Sequence, residues 1–98
     1  MSNQDTMKGE VITMKFPLPR ILSIQSHVIH GYVGNKAVTF PLSCYGFHVD
    51  NINTITLSNK PGYNHGFKGS KLETSMFNDL IQGLQDNSLL NYDILMTG

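Results

Sequence analysis

Arg20-Ile21-Leu22-Ser23-Ile24-Gln25 is the stretch on which the fold turns. It is a short β-branched and apolar run, with Pro17 and Pro19 before it and polar residues after it. Such a run reads as a buried strand of a parallel sheet. Downstream, Ser26 to Gly34 holds two glycines and two histidines and reads as a loop. From Asn35 to Tyr45 the apolar positions Ala37, Val38, Phe40, Leu42 and Tyr45 suit a single helix, which Gly46 closes. Pro41 removes a backbone donor inside that helix, so a kink or an irregular first turn is expected.

Beyond the helix, Phe47 to Leu57 reads as a second strand, with Ile52, Thr54 and Thr56 on one face and Asn53, Ile55 and Leu57 on the other. Ser58 to Gly69 is a long loop containing glycines, Pro61, Tyr63 and Phe67; a loop of that length with aromatics points to function. Ser70-Lys71-Leu72-Glu73 has capping-box spacing, and Met76, Phe77, Leu80, Ile81 and Leu84 follow on one helical face, read as core. Asp86-Asn87-Ser88 ends that helix, and Tyr92 to Thr97 repeats the buried-strand pattern. The order strand, helix, strand, loop, helix, strand predicts an α/β fold with a mostly parallel sheet and right-handed crossovers. Three such strands with two helices leave a sheet face uncovered, so the sequence reads as cut short at Gly98.

Composition narrows the function classes. Of 98 residues, 40% are hydrophobic, and seven basic side chains balance seven acidic ones. Length allows one small domain at most, and the balanced charge gives no electrostatic reason to expect nucleic acid. Residues 1–19 read as a mobile tail without a signal-peptide pattern, and no apolar run is long enough for a membrane span; the expected compartment is the cytoplasm. The single cysteine, Cys44, reads as a buried structural thiol. His27 and His30 lack a cysteine or carboxylate partner, so no metal site is expected. Gly31 and Gly34 lack the triple-glycine spacing of a dinucleotide turn. Asp50 and Asp93 read as solvated or capping groups at strand borders.

Both long loops leave the carboxyl ends of strands, where open α/β sheets bind ligands. That placement gathers Ser26, His27, His30, Ser58, Asn59, Tyr63 and His65 around one crevice. Three strings then carry a specific resemblance: Ile24-Gln25-Ser26-His27-Val28, Gly31-Tyr32-Val33-Gly34-Asn35, and Ser58-Asn59 ahead of Gly62-Tyr63. In this order and spacing they resemble the opening of the pyridoxal kinases, members of the ribokinase-like superfamily, from about Arg20 to Gly98. The resemblance implies the N-terminal part of a three-layer ribokinase-like fold occupying residues 20–98. It also implies ATP-dependent phosphorylation of the 5′-hydroxymethyl of pyridoxal, pyridoxine or pyridoxamine, with Mg²⁺, in a homodimer when the chain is full length.

By the same resemblance Ser26 would hydrogen-bond the polar edge of the pyridine ring. Val33, Ile55 and Leu57 would form an apolar bed. Ser58, Asn59 and Tyr63 would belong to a flap that covers the substrate, with Pro61, Gly62 and Phe67 facing it. Two departures stand out. Pro61 replaces a threonine common in the flap, and Phe67 stands for an aromatic displaced by one residue through an insertion at Asn64-His65-Gly66. The family's anion hole, catalytic aspartate and ATP contacts lie beyond Gly98, so no catalytic residue is assigned and the chain alone is expected to be inactive. Two other readings are a non-catalytic homologue that binds vitamers weakly or pairs with a full-length subunit, and a related hydroxymethylpyrimidine kinase. The Ser26 and Ser58-Asn59 strings favour pyridoxal over the latter.

Overall fold

The computed structural model describes residues 18–98, so most of the expected tail, residues 1–17, lies outside the described residues. The elements are β1 (Arg20–His30), α1 (Gly34–Cys44), β2 (His48–Asn59), β3 (Gly69–Lys71), α2 (Thr74–Asp86) and β4 (Ile94–Thr97). They form a four-stranded sheet in the order β3-β2-β1-β4. β1 pairs in parallel with both β2 and β4, whereas β3 returns antiparallel to β2. The expected α/β class and mostly parallel sheet are present; β3 is an addition. The supposed long loop after Leu57 is the turn of a hairpin.

β1 is longer than its local sequence indicates. Ser26 to His30 was expected to be a loop, yet the parallel ladder continues through His27↔Thr56, Val28↔Leu57 and His30↔Asn59. Pairing with β2 overrides the loop-like Ser, His and Gly content there, and Val28 is among the most deeply buried side chains. The apolar core comprises Ile21, Leu22, Val28, Ile52 and Leu57, all on the two central strands. Each such side chain contributes on the order of 1.5–3 kcal/mol on burial.

Between Gln25 and His27 the β1–β2 register shifts: Gln25 pairs with Asn53, but His27 pairs with Thr56. β2 therefore carries an extra residue, a bulge. This breaks the expected strict alternation. Asn53 turns toward α1, where it meets Asn35, whereas Leu57 lies alongside Val28 in the core ladder.

Asn35 governs this junction. It sits in the first turn of α1, fully buried, and its Nδ2 donates to the carbonyls of Gln25 (3.2 Å) and Ile52 (3.0 Å) and to Asn53 Oδ1 (2.8 Å). Its Oδ1 accepts from Ser23 Oγ at 2.6 Å, and Ser23 in turn accepts from Gln25 Nε2 at 3.0 Å. Two amide protons thus serve three oxygens that border the bulge, on both central strands. Farther along the same helical stripe, Thr39 Oγ1 accepts from Asn51 Nδ2 at 2.9 Å.

α1 runs unbroken through Pro41. It ends in a Schellman arrangement: Phe47 N–H donates to the Leu42 carbonyl (3.1 Å) and Gly46 N–H to that of Ser43 (2.9 Å). Gly46, at φ +94°, supplies the left-handed residue this motif needs. The sheet-facing stripe is Asn35, Val38, Thr39 and Leu42, at 3.6-residue spacing. Cys44 lies off that stripe and is exposed, which corrects its reading as a buried thiol.

α2 departs further from expectation. Ser70 belongs to β3, paired with Thr56, so the capping box does not form; Glu73 is the N-cap and makes no side-chain cap bond. The stripe read as core contains no buried residue, and Met76 and Leu80 are exposed. The helix ends through Leu89 N–H to the Leu84 carbonyl (2.8 Å), with Ser88 at φ +57° in a place that glycine would occupy without strain.

The amino ends of the strands are tied by polar contacts. Asp93 Oδ2 accepts from the Arg20 backbone N–H at 2.8 Å, and Tyr92 Oη donates to Asp50 Oδ2 at 2.5 Å. The Arg20 guanidinium stands 5.3 Å from the Tyr92 ring centroid, and His48 Nε2 lies 3.1 Å from Asp50 Oδ1. Asp50 and Asp93 are therefore partners that hold β4 across β1, and not merely solvated border groups. Partial burial alone would raise the Asp50 carboxyl, but hydrogen bonds from Tyr92 and His48, with the His48 and Arg20 charges, hold it below its ordinary value. Burial, then the bond to Asp50 and its charge, push the Tyr92 phenol up to about 12.

Two outcomes follow from these contacts. Asn35→Asp places a carboxylate against three oxygens, and Asn35→Ala removes every side-chain bond that Asn35 makes to the two central strands. Each should cost about 2–4 kcal/mol in urea unfolding, with Asp the worse of the two. Because folding raises the phenol of Tyr92, its contribution is complete below pH 10 and disappears as pH rises through about 12. Tyr92→Phe should flatten the fall in urea midpoint over that window.

Candidate functional site

The carboxyl ends of β1 and β2 face the turn into α1 and the β2–β3 hairpin, and the expected site residues distribute around this edge. Ser26 is half-buried beneath the start of α1. Its carbonyl and Oγ approach Gly34 so closely that a Cβ there would overlap both, and Gly34 adopts φ +51°. Glycine is therefore required at that point by contact as well as by conformation. Val33, in extended conformation as the N-cap of α1, immediately precedes it, and its carbonyl accepts from Lys36 N–H at 3.1 Å. Ser26 and Val33 are thus held together through Gly34, one residue from the Asn35 node.

Leu57 pairs with Val28 and is buried, and Ile55 pairs with Lys71 of β3 two residues earlier on the same strand. Residues two apart on a strand share a face, so Ile55 and Leu57 present a common apolar surface.

Ser58 and Asn59 work at the base of the hairpin. Ser58 N–H donates to the Lys68 carbonyl (2.7 Å), and Lys68 N–H donates to Ser58 Oγ (3.0 Å). Ser58 Oγ also lies 2.7 Å from Asn59 Oδ1. Asn59 Nδ2 donates to the carbonyls of Lys60 (3.0 Å) and Gly66 (3.1 Å), spanning the turn from one side to the other. Their polar atoms are thus committed to shaping the flap. Pro61, Gly62 and Tyr63 line a shallow cavity of about 340 Å³ on it, while Phe67 is half-exposed at its far end. The Tyr63 ring meets His30 edge-on, with centroids 6.4 Å apart, so the flap touches the end of β1 as the loop placement anticipated.

The edge holds cavities that take in only part of the expected set, His27 in one and His30 with Tyr63 in another. One, about 730 Å³, lies along α1 and includes His27, Tyr32, Phe40 and Asn51 in its walls. Another of about 510 Å³ lies between the end of β1, α1 and the flap, where Lys36 and Lys60 join His30, Tyr32 and Tyr63. Ser26, Val33, Ile55, Leu57 and Phe67 line neither of these two cavities, and His65 is exposed on the flap turn. Lys36 and Lys60 drew no notice in the sequence because isolated lysines carry no spacing signal; only the fold makes them neighbours. Among the described residues no cluster of three His, Cys, Asp or Glu side chains is placed to hold a metal ion, and no helix is long and apolar enough to cross a membrane.

Compared with models of protein families, the chain matches none. Individual proteins do match. Pyridoxal kinase of Bos taurus is 51% identical over 79 residues, which cover 81% of this chain and 25% of that protein. Pyridoxal kinase of Arabidopsis thaliana is likewise 51% identical over 79 residues, again 81% of this chain and 25% of the relative. Among solved structures, pyridoxal kinase from Leishmania donovani in complex with ADP and pyridoxamine superposes with a TM-score of 0.77 at 51% identity, covering 81% of this chain and 28% of that one. Pyridoxal kinase from Trypanosoma brucei gives a TM-score of 0.78 at 48% identity, covering 82% and 29%. The chain spans about a quarter of the length of the curated relatives it matches. In sequence and in fold, then, this chain is similar to about one quarter of each of these pyridoxal kinases.

Proposed function

We propose that this chain forms one wall of the vitamer pocket of a pyridoxal kinase, the enzyme that moves a phosphoryl group from ATP to the 5′-hydroxymethyl of pyridoxal, pyridoxine or pyridoxamine. The observation that carries the reading is the 51% identity over 79 residues, a span that takes in both the Ser26–Asn35 segment and the flap. The physical arrangement agrees with such a role. Ser26 Oγ offers a donor and acceptor for the polar edge of a pyridine ring. Val33, Ile55 and Leu57 provide apolar surface nearby, and the hairpin bearing Tyr63 and Phe67 has the form of a lid. A lid that excludes water limits loss of the phosphoryl group to hydrolysis.

ATP and Mg²⁺ belong to this proposal for the whole enzyme, as does a homodimer. The described residues do not fit a metal, since they hold no suitable ligand cluster, and no step through a metal is assigned to them. Their part is to bind, orient and cover. Phosphoryl transfer depends on charge stabilisation around the moving group. No residue of this chain is assigned that task.

Isothermal titration of the chain with pyridoxal should therefore give weak binding, reduced about fivefold by Ser26→Ala, the value of one neutral hydrogen bond. ATP-dependent phosphate transfer to pyridoxal should be undetectable; measurable turnover would refute the assignment of binding without catalysis. For the flap, Asn59→Ala removes the bond across the turn to Gly66 and the local bond to Lys60. Amide exchange across residues 60–68 should accelerate, while overall stability changes by less than about 1 kcal/mol.

A further inference from the structure

We propose that the mouth between the end of β1, the start of α1 and the flap binds a phosphomonoester carried on an aromatic ring. The cavity there measures about 510 Å³ and is walled by His30, Tyr32, Lys36, Lys60 and Tyr63, together with Ile29 and Gly31. Two lysines and an imidazole converge on it. None of the described carboxylates, Asp50, Glu73, Asp79, Asp86 or Asp93, contributes to its walls. In a chain with zero formal net charge, that local excess of cation arises from the fold. A concave mouth of one sign concentrates ions of the other.

The Lys36 ammonium and the frame around it are also held in place. The Lys36 ammonium donates to the Ile29 carbonyl and stands 5.2 Å from the Tyr32 ring centroid. One of its three protons is thereby used, leaving two for an anion. Lys60 is fixed at its backbone, where its carbonyl accepts from Asn59 Nδ2 at 3.0 Å. The His30 ring is set edge-on against Tyr63. Inorganic phosphate would use the cations alone. A ring bearing phosphate uses the aromatic walls as well, with charge-assisted bonds at one end and stacking at the other.

Ser26, Val33, Ile55 and Leu57 are absent from these walls, so the mouth shares only Tyr63 of the flap with the residues assigned to the vitamer. The anion site stands on its own geometry. Only the source of the phosphate, a phosphorylated vitamer or a nucleotide, rests on the kinase reading.

The test is amide NMR on the ¹⁵N-labelled chain, titrated separately with inorganic phosphate, pyridoxine 5′-phosphate and ADP. Pyridoxine phosphate is chosen because it lacks the aldehyde that would condense with lysine. Shifts should concentrate in residues 29–36 and 60–63, and pyridoxine phosphate should bind about tenfold tighter than phosphate. Lys36→Gln and Lys60→Gln should each weaken phosphate binding about tenfold, whereas Lys71→Gln, on β3, should leave it unchanged. Lys60→Gln, on the flap, repeats the test away from the Ile29 contact that Lys36→Gln also removes. Tighter binding of ADP than of pyridoxine phosphate would identify a nucleotide as the source. Absent or scattered shifts, or an equal loss in Lys71→Gln, would overturn the site. Unphosphorylated pyridoxal reports separately on the kinase reading: its binding should survive both lysine changes and fall with Ser26→Ala.

Discussion

A single buried amide sets the geometry on which the rest of this structure depends. The side chain of Asn35 reaches across both central strands where their register slips, and its protons serve oxygens from each. Desolvating an amide is costly unless its bonds are made, and here they are made to groups on both strands beside the bulge. The helix cannot shift relative to the sheet without losing several bonds at once. Such a network behaves as a unit. Since Ser26 and Val33 flank the adjoining Gly34, their placement at the ligand edge is inherited from the same node.

The parts legible in the sequence were those written in local pattern. Ile21, Leu22 and Ile52 announce strands, and Gly46 announces the end of α1, because strand burial and a left-handed cap both leave a mark on neighbouring residues. What long-range pairing imposes was not legible. Ser26 to His30 has loop chemistry but is held in the ladder by β2, and Ser70 has cap spacing but is taken by Thr56. The bulge itself leaves no composition signal, so alternation put Asn53 on the wrong face. Asn35 offered one hint, a polar residue on the stripe that faces the sheet. The polar edge gathering His30 and Tyr63 could be anticipated from topology alone. Lys36 and Lys60 could not, since they come together only through the hairpin.

The two ends of the sheet divide their tasks. At the amino ends, Arg20, Asp50, Tyr92 and Asp93 form a compact set of charge and hydrogen bonds that fastens β4 to the central strands. At the carboxyl ends lie the glycine-bearing turn and the flap, with space and unspent polar groups. This polarity accords with the general placement of ligands in open α/β sheets. Polar binding groups can therefore sit at one edge while the fixed contacts that hold the sheet are concentrated at the other.

The hairpin base has a consequence for how this segment can change over time. Ser58 and Asn59 clamp the chain where it leaves β2 and where it returns at Gly66 and Lys68, so the base of the turn is fixed independently of its tip. Residues gained or lost at Asn64 and His65, between the clamped positions, alter only the tip, and the strands beneath keep their register. Variation in reach is thereby uncoupled from accuracy of placement. A lineage can retune how far the hairpin extends without renegotiating the core beneath it.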